Sequence, residues 1–190
     1  PLIDIGTHAL DITLWMMNNY EPASVSGQVF YKLGRQADGP EGNVFGPWDP
    51  ETFEVEDSAF GLVKMKNGAT IFLEASWALN VLKSMEASAT LCGTKGGAEI
   101  HHGGSYPQDE LIYNNVEHNQ LMEKTISPAG VVDFFEGGAA AEAVREQEQW
   151  LNAIINDGEP LVKPEQAFVV TQILEAIYKS AETGKEVYFD

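Results

Sequence analysis

The chain has 190 residues, 44% of them hydrophobic, enough to bury a core of its own as one domain. Its 11 Lys and Arg against 29 Asp and Glu leave a formal charge of -18, which repels phosphate backbones and anionic bilayers and argues against nucleic-acid or membrane partners. No apolar run approaches the roughly 18 residues that cross a bilayer, no secretory signal pattern is visible, and Cys92 stands alone with no Asn-x-Ser/Thr acceptor anywhere, a combination that predicts a reducing, cytoplasmic setting.

The chain opens with Pro1 rather than Met, so it reads as a piece of something longer. Leu10, Leu14 and Met17 recur at helical spacing over residues 7–18, and Asn18, Asn19 and Pro22 end the pattern. Residues 25–33 read as a strand. The Gly/Pro-rich stretch 34–50, carrying Phe45 and Trp48, is long for a connection and reads as a lid or contact arm. Segments 55–66 and 69–77 flank Asn67-Gly68, a type I′ hairpin signal. Pairing outward from a two-residue turn puts Phe60, Leu62, Ile71, Leu73, Ala75 and Trp77 on one face and Ala59, Val63, Met65 and Phe72 on the other. A sheet apolar on both sides must be covered twice, by the chain's helices and by either a second copy or more helices.

Segments 86–92 and 98–101 form a further hairpin pattern around Gly93 to Gly97, and 110–115 with 120–126 another, predicting one sheet of about six or seven strands. Residues 142–156 read as a helix with Val144, Leu151 and Ile155 on one line and Trp150 and Ile154 beside it, stopped by Gly158 and Pro160. The last helix starts at Pro164, carries Phe168, Val169, Ile173, Leu174, Ile177 and Tyr178, and closes at Gly184. One helix, a run of strands and two helices make an α+β domain.

The chemistry concentrates at the front. Asp4 and His8 stand four apart, so on a helix both side chains share a face and the carboxylate can orient the imidazole as a general base. The alternative is that Asp4 caps the helix and His8 is a satisfied interfacial histidine. Gly6, inside the first turn, costs helix stability and is tolerated where something approaches the backbone closely. Asp11, three residues past His8, holds the ring from the other side or is solvated. His101-His102 is a poor metal pair, because adjacent strand residues point to opposite faces. Cys92 reads as inert within an apolar strand. Gly93 to Gly97 lacks the Walker spacing and joins strands instead of entering a helix.

Pro1 to Asp11 resembles the Asp-x-Gly-x-His-x-x-Asp signature of the glucose-fructose oxidoreductase, inositol dehydrogenase and rhizopine catabolism (Gfo/Idh/MocA) family, and the order of elements after it is similar. The resemblance implies an open, mostly antiparallel sheet with helices on one face that binds substrate and pairs subunits as a homodimer or homotetramer. It implies a separate N-terminal Rossmann domain for NAD or NADP, absent from this chain. His8 matches the catalytic histidine that takes a hydroxyl proton, and Asp4 the carboxylate assisting it. Trp77 and Asn80, at the end of the sheet that faces substrate in similar proteins, become candidate substrate contacts beside Asp11, with core packing the other reading of Trp77.

The family's lysine in a Glu-Lys-Pro motif is missing, and Val162-Lys163-Pro164 is better read as the start of the last helix. No two glycines are separated by a single residue, so no Gly-x-Gly dinucleotide fingerprint exists here. The chain alone is therefore expected to bind no NAD(P) tightly and to lack dehydrogenase activity. The parent is expected to be an NAD(P)-dependent oxidoreductase of a sugar, inositol-like cyclitol or related polyol. The competing readings are a non-catalytic dimerisation or binding module with a vestigial Asp/His pair, and a metal-dependent lyase or isomerase with His8 as base.

Overall fold

The computed structural model describes residues 1–36, 48–82, 87–101, 110–126 and 140–190, without the side chains of 140–143. The front of the chain is helical, but its first turn is wider than an α-helix. Leu2–Gly6 is a π-helical turn, closed by the Gly6 N–H donating to the Pro1 carbonyl at 3.1 Å, and it runs into α1, Thr7–Met17. α1 buries Leu10 and Leu14 and ends where Asn18 takes a left-handed φ of 46°, a conformation Asn tolerates better than most residues.

Strands β1 (Pro22–Phe30), β2 (Ser58–Met65), β3 (Thr70–Ser76) and β8 (Val187–Tyr188) form one antiparallel sheet in the order β3-β2-β1-β8. The hairpin between β2 and β3 sits where the sequence predicts, one residue out of register. Gly68 N–H donates to the Met65 carbonyl at 2.9 Å, and at this turn only Gly68 has positive φ, 89°. This is the longer loop with a glycine bulge, not a two-residue type I′ turn. Lys64 therefore pairs with Thr70 and Val63 with Ile71. A one-residue slip exchanges the faces: Ala59, Val63 and Met65 join Ile71, Leu73 and Ala75 in the core, while Phe60 and Leu62 join Phe72 and Glu74 outside. A two-residue turn with both central φ positive does occur, at His118 (53°) and Asn119 (61°).

That turn joins two strands of a second antiparallel sheet, β4 (Ala89–Cys92), β5 (Gly96–His101), β6 (Glu110–Glu117) and β7 (Gln120–Ile126), in sequential order. Among the described residues the strands thus form two sheets of four, where the sequence predicts one of six or seven. The class is α+β, as expected.

Helices α2 (Ala140–Ile155) and α3 (Pro164–Thr183) follow. α3 starts at Pro164 with Gln166 Oε1 accepting from Lys163 N–H at 3.0 Å, and stops at Gly184, φ 66°. It lies directly on the first sheet. A Cβ on Gly27 would fall 2.7 Å from Ile177 Cγ2, and one on Gly61, its cross-strand partner, 2.6 Å from Ile177 Cδ1. Leu2, Leu10, Leu14, Val25, Val170, Ile173, Leu174 and Ile177 complete the core between sheet and helices. Phe168 is exposed, as are Trp150, Leu151, Ile154 and Ile155 on α2. No helix among the described residues is long and apolar enough to cross a membrane.

Candidate functional site

The π-helical turn sorts its side chains sharply. Leu2 and Gly6 are buried, and a Cβ on Gly6 would stand 3.0 Å from Leu2 Cδ1 and 3.5 Å from Ala75 Cβ, so the close approach read from Gly6 is to the sheet and to Leu2 itself. Asp4 and His8 project the other way. Asp4 Oδ1 lies 3.8 Å from His8 Nε2, with both side chains 85% exposed. That is ion-pair distance, longer than a hydrogen bond, on an open surface. Chemically, the arrangement offers a ring nitrogen that can accept a proton with a carboxylate beside it.

Asp11 is half-buried, and its charge acts on Tyr20, whose phenol pKa is raised first by burial and then by Asp11. Trp77 is anchored: its indole N–H donates to the Glu56 carbonyl at 3.0 Å, and its ring packs against Phe53 (5.5 Å between centroids) and edge-on against Trp48 (6.1 Å). Trp48 donates in turn to the Gly34 carbonyl at 2.9 Å, closing the base of the loop expected as a lid. Phe45, within that loop, lies outside the described residues. Asn80 is exposed. The structure therefore brings Asp4 and His8 together, and places Trp77 in an aromatic cluster neither fully core nor free.

Two acids that sequence reasoning passed over organise this end of the sheet. Glu56 and Asp57 are buried immediately before β2. Asp57 Oδ2 accepts the backbone N–H groups of Lys32, Leu33 (2.6 Å) and Gly34 (3.3 Å), fixing the chain after β1. Glu56 Oε1 accepts the Leu2 N–H at 2.9 Å and the Tyr178 hydroxyl at 2.8 Å. Burial works to raise the Glu56 carboxyl, but the bonds from Leu2 and Tyr178, joined by its own backbone N–H and the Pro1 amine, together outweigh it and hold the group below the usual carboxylate value. Burial, then the hydrogen bond and charge of Glu56, push the Tyr178 phenol well up. The available signal was a pair of adjacent acids at the mouth of an apolar strand.

Elsewhere, His101 Nε2 sits 3.2 Å from Glu99 Oε2 on the same strand, and His102 lies outside the described residues. Cys92 is exposed at the end of β4, not enclosed in an apolar strand, because the strand stops there at the turn to Gly96.

Residues 1–189 match the model of an oxidoreductase family's C-terminal alpha/beta domain, the Gfo/Idh/MocA C-terminal domain. The chain belongs to this family. It is 33% identical over 187 residues to the D-glucoside 3-dehydrogenase of Escherichia coli (strain K12), a match covering 98% of this chain and 48% of that protein. It is similar in fold to an aldose-aldose oxidoreductase from Caulobacter crescentus solved with glycerol (TM-score 0.67, 21% identity, 99% of this chain and 47% of that one). A levoglucosan dehydrogenase solved with NADH and levoglucosan is similar too (TM-score 0.69, 19% identity, 97% and 49%). The chain thus spans about half the length of the curated relative it matches.

Proposed function

We propose that this Gfo/Idh/MocA C-terminal domain is the substrate-binding and subunit-pairing half of a cytoplasmic NAD(P)-dependent oxidoreductase acting on a sugar hydroxyl, a D-glucoside or related polyol, with His8 as the proton-transfer base and Asp4 assisting it. The observation that carries this reading is the Asp4–His8 pair, 3.8 Å apart, with both side chains projecting outward where the π-helical turn, anchored by buried Leu2 and Gly6, runs into α1. The imidazole takes the hydroxyl proton, with the carboxylate beside it orienting the ring. Asp11, Trp77 and Asn80 are the candidate substrate contacts, with Trp77 offering an apolar ring to the C–H face of a sugar.

The residues of this chain do not fit a dinucleotide. Its sequence lacks any Gly-x-Gly turn, so we assign NAD or NADP to a Rossmann domain of the parent and expect the isolated chain to be inactive. In the full-length parent, assayed with D-glucosides and polyols against both cofactors, His8→Ala should cut turnover by about 10²- to 10⁴-fold while NADH affinity is preserved. Unchanged turnover would remove His8 from the mechanism and leave the reading of a binding module with a vestigial pair.

A further inference from the structure

A carboxylate that surrenders its hydration must be compensated by donors at the buried site. The Glu56 side chain is 7% exposed, and its donors come from the platform beneath Asp4 and His8. Leu2 N–H and Ile3 N–H are the first amides of the π-helical turn, groups that no carbonyl within a helix can satisfy. Glu56 Oε1 takes the first at 2.9 Å and also accepts the Tyr178 hydroxyl at 2.8 Å, which ties the same carboxylate to α3. An anion at that end also suits the helix dipole. The Pro1 nitrogen stands 3.1 Å from the same oxygen, but inside a longer chain it would be an imide with no proton to give, so the clamp rests on Leu2 and Tyr178. The Glu56 carbonyl meanwhile accepts the Trp77 indole at 3.0 Å, and Trp77 N–H donates to the Asp57 carbonyl at 3.1 Å. One residue therefore ties the proton-transfer turn to the aromatic wall.

We propose that Glu56 is a positioning residue for the Asp4–His8 pair: delivered by the chain entering β2, its buried carboxylate fixes the turn through Leu2, with the Tyr178 hydroxyl anchoring that carboxylate to α3, so that both functional side chains project from a rigid base. This rests on the proton-transfer reading above. A misplacement of the base by about 1 Å is enough to cost on the order of 100-fold in rate.

The test uses the full-length parent with a D-glucoside and its preferred cofactor. Glu56→Ala should lower kcat by about 100-fold, Glu56→Gln, which keeps an acceptor oxygen, should recover most of that, and Tyr178→Phe should fall between Ala and the parent. KM for the sugar and affinity for NADH should stay within about twofold, because no contact to either is removed. Hydrogen exchange should accelerate in the peptide over residues 1–8 of the Glu56→Ala protein and hold steady in β2 and β3. Should Glu56→Ala fail to fold, Tyr178→Phe carries the same test, with Glu56→Gln as the acceptor-retaining control. Full kcat in folded Glu56→Ala, or in Tyr178→Phe where the alanine variant does not fold, or a loss appearing in KM with kcat intact, overturns the proposal. His8→Ala is run beside them. If it cripples turnover while the Glu56 and Tyr178 variants do not, only the positioning role falls; if it leaves turnover intact, both readings fall together.

Discussion

Glu56 and Asp57 are adjacent in the bend that leads into β2, and each acid serves a different piece of chain. Asp57 collects the amides of Lys32, Leu33 and Gly34, and Glu56 collects the front of the π-helical turn. The sign of the pH dependence follows from the lowered Glu56 carboxyl. Its contribution to stability is complete above the ordinary value of 4.5 and is lost as pH falls through the lower folded value. The Tm gap between the parent protein and Glu56→Gln should therefore be constant from neutral pH down to about 4.5, shrink between there and the lower folded value, and stay small below it. A gap that widens in acid contradicts this assignment. At this scale the Asp4–His8 pair was legible, because an i, i+4 spacing is local. Glu56 was not: its partners Leu2 and Tyr178 lie 54 and 122 residues away, and nothing in a linear pattern reports such a meeting.

Among elements, α3 crosses the first sheet at two paired glycines, Gly27 on β1 and Gly61 on β2, and the two crossings differ in kind. At Gly61 an added Cβ meets the tip of Ile177, Cδ1 at 2.6 Å, whereas at Gly27 it meets Ile177 Cγ2 at 2.7 Å and the Ile177 carbonyl oxygen at 2.9 Å. Gly61→Ala should thus be largely rescued by Ile177→Val, which deletes Cδ1, and Gly27→Ala should not, since backbone cannot retreat. Each alanine alone should cost about 1–3 kcal/mol, read as Tm in the single and double variants, and equal rescue of both would show that α3 is seated differently. The helices and most strands were legible from periodicity and from Pro and Gly signals. The β2–β3 register was not, because Asn67-Gly68 suits either a two-residue turn or the longer bulged loop, and only cross-strand packing chooses. Val63 paired with Ile71 buries both, while the two-residue alternative would have turned Ala59, Val63 and Met65 away from the helices.

For the whole molecule, α3 and the π-helical turn cover one face of the first sheet, with α1 packed against them, and leave Phe72 80% exposed on the other, beside Phe60 and Leu62. We assign that outward face to subunit pairing. Sedimentation of the parent should give a dimer or larger, shifted toward monomer by Phe72→Glu, and a strict monomer at high concentration contradicts the assignment. The division of strands into two sheets was beyond a linear reading, since strand count is local information and sheet membership is not. The account as a whole depends on Asp4 acting through His8. A double-mutant cycle on turnover in the full-length parent tests that most directly, with Asp4→Asn, His8→Ala and both together. Residues acting as one unit are non-additive, so the double variant should be no slower than His8→Ala alone to within about twofold. Losses that multiply, or single variants that both turn over like the parent, would contradict it.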